Sequence, residues 1–191
     1  MGAIDRVVLV PRWGGTAEDD WYPWLTQRLV ASKLEVAVSS LEPVASEPEI
    51  EPSLEELRAT LGDDPVLLAR TVLVGHGVGC QVILRHLAAR GSRARVAGAI
   101  CVAGWLTHDE HWDGADEWLE TPIDASCVQA AATKLMVLVS DNDPNNADHW
   151  RTASEFRDHL GASVMLIPGA AHFTESPQPA VRDALSLFGI K

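Results

Sequence analysis

At 191 residues, with 47% hydrophobic and 22% charged residues, the chain has the size and balance of one soluble globular domain, residues 1–191. A formal net charge of −12 argues against nucleic acid or an anionic membrane as partner, since either needs a basic face. No apolar run approaches the ~20 residues of a bilayer span, and Cys80, Cys101 and Cys127 lack C-x-x-C spacing, so they read as reduced thiols of a cytoplasmic protein.

Taken in order, Arg6 to Val10 is a short β-branched run without polar alternation, the pattern of a strand buried on both faces. Pro11-Arg12-Trp13-Gly14-Gly15 breaks it. Asp19 or Asp20 is placed to cap a helix from Trp21 to Ser32, with Pro23 in its first turn. Glu35 to Ser39 reads as a second strand and the proline- and glutamate-rich Leu41 to Pro52 as a loop. Ser53-Leu54-Glu55-Glu56 matches a capping box opening a helix to Leu61. Thr71 to Val74 is a third strand, followed by a turn and a helix from Val78 to Arg90.

Val96 to Ala103 is a fourth strand. Gly104 to Cys127 is polar and aromatic with no clear period, and reads as an excursion over one end of the sheet, with a helix from Ala125 to Ala132 at its close. Lys134 to Ser140 is a fifth strand. Asp148 caps a helix from His149 to Leu160, which Gly161 ends. Ser163 to Ile167 is a sixth strand, followed by the loop Pro168-Gly169-Ala170-Ala171-His172 and a last helix from Pro179 to Leu187.

Short apolar strands alternating with helices give an α/β fold, a three-layer sandwich whose mostly parallel sheet of about six strands carries helices on both faces. Ligands of such sheets bind outside the carboxyl ends of the strands. That rule gathers Arg12, Gly77, the tryptophan excursion, Asp143 and His172 at one edge.

The stretch Gly75-His76-Gly77-Val78-Gly79-Cys80 joins a strand to a helix through glycines, the context of the G-x-S-x-G nucleophile elbow. Its central position, which in that motif carries a serine, is Gly77. Together with Asp20-Trp21-Tyr22-Pro23-Trp24-Leu25, Ser140-Asp141-Asn142-Asp143-Pro144 and Gly169-Ala170-Ala171-His172-Phe173, it resembles the α/β-hydrolase superfamily. The narrower likeness is to the small lid-less serine hydrolases typified by retinoblastoma-binding protein nine, whose corresponding segments read G-H-S-x-G-C, H-W-F-P-W-L, S-x-D-D and G-G-H-F. The resemblance implies that Asp143 is the triad acid and His172 the base. It also marks two departures: Gly77 where the serine stands, and Pro11-Arg12 where the family carries a His-Gly pair at the oxyanion hole.

Without a hydroxyl at 77, covalent serine chemistry lacks its nucleophile. Three readings follow. A His172–Asp143 dyad performs non-covalent acid–base chemistry (lyase, cyclase or hydration type) on a small carbonyl-bearing or aromatic substrate. Alternatively the chain is a pseudohydrolase that binds a ligand or partner. If Gly77 is an engineered replacement of a natural serine, it is an ordinary esterase. Asp141 is the rival acid.

In the first reading the amide of Val78, at the start of its helix, and Arg12 stabilise negative charge. Arg12 is otherwise a surface residue. Trp13, Trp105 and Trp112 are candidates for an aromatic pocket, Trp118 a further one. Cys80, one turn beyond the elbow, reads as a buried filler. His108 and His111 have no third ligand at metal spacing and read as a solvated loop. No metal and no cofactor are expected, the partner is a small molecule, and the sequence carries no sign of oligomeric state.

Overall fold

A computed structural model describes residues 2–41, 47–93, 95–107, 114–146 and 148–190. Its centre is a six-stranded, wholly parallel sheet in the order β2-β1-β3-β4-β5-β6. The strands are β1 (Arg6–Val10), β2 (Glu35–Val38), β3 (Thr71–His76), β4 (Gly98–Val102), β5 (Leu135–Val139) and β6 (Ser163–Leu166). The helices are α1 (Tyr22–Ala31), α2 (Ile50–Leu61), α3 (Pro65–Leu68), α4 (Val78–Arg90), α5 (Asp116–Glu120), α6 (Ala125–Ala131), α7 (His149–Leu160) and α8 (Pro179–Ser186).

Alternation along the strands divides the core in two. Val8 and Val10 of β1, Leu73, Ala99, Cys101 and Val137 pack with α2, α4, α6 and α7. Val7, Leu9, Val72, Val74, Ile100 and Leu138 pack with Tyr22, Leu25 and Leu29 of α1 and Val181, Ala184 and Leu185 of α8. Strand residues on both faces are thus removed from water, each large aliphatic contributing about 1.5–3 kcal/mol. This is why the central strands read as unbroken apolar runs.

Several helix boundaries differ from the sequence expectation. Asp19 and Asp20 do not cap α1: Asp19 accepts hydrogen bonds from the N–H and hydroxyl of Thr16 at 2.8 and 2.7 Å, and Asp20 turns to Arg12. The apparent capping box does not open α2, which begins at Ile50 after Glu49. Pro52 fits the first turn, where no N–H is needed, so Ser53 lies buried inside the helix, its amide donating to the Glu49 carbonyl at 3.2 Å. At α7 the expectation holds: the Asp148 carboxylate accepts from the Arg151 amide at 2.9 Å, and Gly161 ends the helix in a left-handed conformation.

The excursion after β4 contains the short α5, which the sequence reading left out. Gln81 and Arg85 of α4 tie it down, the amide of Gln81 donating to the Trp105 carbonyl and the guanidinium of Arg85 to the carbonyls of Trp118 and Thr121. Trp105 and Trp118 are accordingly core residues, 4% and 2% exposed. The reason is steric and polar at once: held by their own carbonyls, their rings turn inward, and the Trp118 indole N–H donates to the Pro48 carbonyl at 3.0 Å. Among the described residues, no helix is long and apolar enough to cross a membrane.

Candidate active site

Because every strand runs the same way, the loops after β1, β3, β5 and β6 converge at one sheet edge. β3 ends on His76, and Gly77 makes the turn into α4 with φ 54° and ψ −120°. This backbone is strained for any side chain, at about 1–3 kcal/mol, and free for glycine. Its amide donates to the Val102 carbonyl of β4 at 2.9 Å, fixing the turn to the neighbouring strand. Val78 is buried and supplies the first amide of α4.

Gly79 brings the first loop against this turn. A Cβ there would lie 2.3 Å from the Val10 carbonyl oxygen and 2.5 Å from that of Pro11. With only hydrogen at that position, the β1 loop rests directly on α4. Arg12 consequently stands beside the elbow, its Cβ 3.3 Å from where a Cβ of residue 77 would be.

The loop after β6 delivers His172. Its Nδ1 lies 3.0 and 2.9 Å from the two carboxylate oxygens of Asp143, and Nε2 stands 3.2 Å from the position of a Cβ on residue 77. Asp143 is buried and also accepts from the Asn145 amide at 2.9 Å. Asp141, the rival acid, does not touch the imidazole. Its carboxylate accepts from the Gly169 amide at 2.8 Å, while the Asn142 side-chain oxygen accepts from the Ala171 amide at 2.8 Å. Three consecutive residues of one loop therefore hold the other.

Arg12, expected at the surface or on an anion, is partly buried and paired with a carboxylate of the protein itself: its Nε and Nη2 donate to the two carboxylate oxygens of Asp20 at 2.8 and 3.2 Å, and its Nη1 to the Trp13 carbonyl at 3.0 Å. The paired carboxylate, the strongest influence on it, holds the guanidinium in its charged form. Its positive charge is thereby matched inside the protein. Arg12 and Asp20, from two separate motif segments, are thus partners of one another. The Arg12 amide donates to the Tyr22 hydroxyl at 3.1 Å.

Trp13 is half-buried and packs against the core on the α4 side. Trp112, His108 and His111 lie outside the described residues. Cys80 is fully buried, its thiol directed at the Val102 carbonyl at 3.4 Å, and burial pushes its pKa up. That suits a packing residue and opposes a nucleophile.

The sequence reading passed over His76. Its ring is fully buried, with Nδ1 2.7 Å from the Tyr22 hydroxyl and Nε2 2.7 Å from the His172 carbonyl oxygen. A polar residue closing an otherwise apolar strand was the available signal, since a buried imidazole needs partners. Burial lowers its pKa to about 3, and His86, also buried, is lowered to about 4 by the same cause.

The unfolded chain protonates these rings near the ordinary 6.5, whereas the folded chain resists. Stability is therefore full above that value and falls as pH drops through it toward the folded values, by up to about 1.4 kcal/mol per pH unit for each ring. Urea midpoints of wild type and His86→Gln, compared at about pH 7.5 and about pH 5, should show a shallower acid loss in the variant. Equal slopes would mean that His86 takes up its proton while folded.

Comparison with known proteins bears on the family and the fold. The serine hydrolase family pattern matches residues 7–178. The chain is 24% identical over 187 residues to the putative hydrolase YdeN of Bacillus subtilis (strain 168), covering 96% of this chain and 95% of that protein. The crystal structure of the B. subtilis ydeN gene product superposes with a TM-score of 0.85 at 23% identity, covering 98% of this chain and all (100%) of that one. A structure from work on carboxylesterases of the ammonia-oxidising thaumarchaeon Nitrososphaera gargenis gives a TM-score of 0.74 at 14% identity, covering 98% and 90%. With a family match over most of its length and a six-stranded parallel sheet like that of these neighbours, the chain belongs to the serine hydrolase family and has the α/β-hydrolase-like fold.

Proposed function

We propose that this serine hydrolase family member works without covalent catalysis, with His172 as acid–base and Asp143 as its orienter. The observation that carries the reading is the aim of the dyad. Asp143 engages Nδ1, and Nε2 faces the one turn position that has no side chain. A carboxylate on Nδ1 fixes the tautomer that leaves Nε2 able to accept a proton and supports the imidazolium once it has done so. Such a pair can take a proton from a bound substrate or water and return it. The substrate class that fits is small and carbonyl-bearing or aromatic, with the Val78 amide at the α4 N-terminus placed to stabilise developing negative charge.

The pseudohydrolase reading draws on a different observation: glycine relieves the strain at φ 54°, and a chain released from nucleophilic catalysis gains that stability. Two experiments separate the readings. Wild type should remain unlabelled by a fluorophosphonate probe, whereas Gly77→Ser should be labelled at residue 77. The new Cβ requires His172 and Arg12, at 3.2 and 3.3 Å, to yield by a few tenths of an ångström. Labelling of wild type at any serine would sink the proposal. In a screen of small esters, hydroxy-carbonyls and phenols, His172→Ala should lose turnover and keep ligand affinity. Binding without turnover in wild type as well would assign the chain to the pseudohydrolases.

A further inference from the structure

His172 sits between two non-glycine residues with left-handed backbone, Ala171 at φ 47° and Phe173 at φ 54°. Such a segment keeps its shape only where its surroundings over-determine it. Asp141, Asn142 and Asp143 hold it from the loop after β5. A fourth hold comes from the opposite side, where His76 at the end of β3 meets the His172 carbonyl at 2.7 Å.

The direction of that bond follows from elementary chemistry. A carbonyl oxygen only accepts, so Nε2 of His76 carries a proton. Burial and the neighbouring His172 both disfavour a second proton on the ring, so Nδ1 is the acceptor and the Tyr22 hydroxyl donates to it across 2.7 Å. The same hydroxyl accepts from the Arg12 amide. One polarised chain thus runs from Arg12 N–H through Tyr22 O–H and His76 to the His172 carbonyl, linking the loops after β1, β3 and β6. The two imidazoles also stack, centroids 5.2 Å apart at 29°.

We infer that Tyr22 and His76 form a fixed, neutral strut, and that His76 is a positioning residue holding the main chain of His172 so that Nε2 stands over Gly77. The functional meaning rests on His172 being the acid–base group; the tautomer and the pinning stand without it. The His76 ring meets its neighbour at the carbonyl and across the stacked imidazoles, and acts through it.

Long-range 1H–15N spectra of the full-length wild type read this directly. His76 should show the neutral Nε2–H tautomer, with no titration between about pH 5 and 8, where an ordinary histidine changes charge. Tyr22→Phe should shift the His76 Nδ1 resonance, because that nitrogen loses its donor. In His76→Leu, the His172 Nδ1 proton should exchange with water about tenfold faster as its loop opens more often. His76→Gln, whose amide nitrogen can take the place of Nε2, should restore slow exchange.

An Nδ1–H tautomer, titration of His76 in that range, or an unchanged His172 proton in folded His76→Leu would overturn the inference. If His76→Leu does not fold, the wild-type tautomer and the Tyr22→Phe shift decide it. Absence of turnover in every assay would instead remove the acid–base reading and leave these spectra as they are.

Discussion

Adding a single methyl at Gly79 is expected to cost about 3 kcal/mol or more, the upper range for overpacking a site that cannot relax. The two atoms in its way, carbonyl oxygens at 2.3 and 2.5 Å, belong to the main chain at the end of β1. Neither is the tip of a flexible side chain, so relief requires the first loop to lift off α4. The comparison is Gly14→Ala in the same loop, where φ is 69° and no atom lies within 4 Å of the new methyl; that change carries only the left-handed backbone cost of about 1–2 kcal/mol. Urea denaturation followed by circular dichroism should place Gly79→Ala well below Gly14→Ala. Equal losses would show that the first loop gives way easily and that close packing at Gly79 is not what the fold depends on. Because the lifted loop carries Arg12, Gly79→Ala should also loosen the Arg12–Asp20 pair.

The second large effect is on chemistry. Asp143→Asn keeps the shape and the acceptor for the Asn145 amide, yet it presents an N–H to His172. The imidazole must then accept at Nδ1 and carry its proton on Nε2, facing Gly77 with the wrong polarity. The equivalent change in a serine-protease triad lowers turnover by about 10⁴-fold through this same tautomer reversal. A loss of about that size is expected in wild-type turnover and in probe labelling of Gly77→Ser, with little loss of stability. Nitrogen chemical shifts of His172 supply the check: if the tautomer reverses and the rates do not fall, His172 is not the base.

The strands and their order of faces were legible because they are short, apolar and β-branched, and the parallel sheet then decided which loops meet. Gly77, Asp143 and His172 came together for that reason. What the sequence did not carry were contacts set by loop paths. Arg12 meets Asp20 because the chain between them turns back through Asp20 at φ 50°, a course that no local pattern announces. Trp105 and Trp118 were pocket candidates because their segment follows β4 at the site's edge, and the bonds from Gln81 and Arg85 that bury their rings come from a distant helix. The start of α2 was misplaced because Ser53 and Glu56 have capping spacing whether or not the helix begins there. His76 was passed over because its partners, Tyr22 and His172, are distant in sequence.

That last separation also bears on order of assembly. The bond from His76 to His172 closes a loop of 96 residues, spanning β4, β5, β6 and the helices between them. Closure on that scale comes late, because its entropy must be met before the contact can repay it. A nascent chain with β1, β3 and α4 in place already holds the elbow turn, but the imidazole reaches it only after the last strand has docked. Asp143 and His172 are only 29 residues apart, so the meeting of that pair with the elbow, and not the pair itself, marks finished folding.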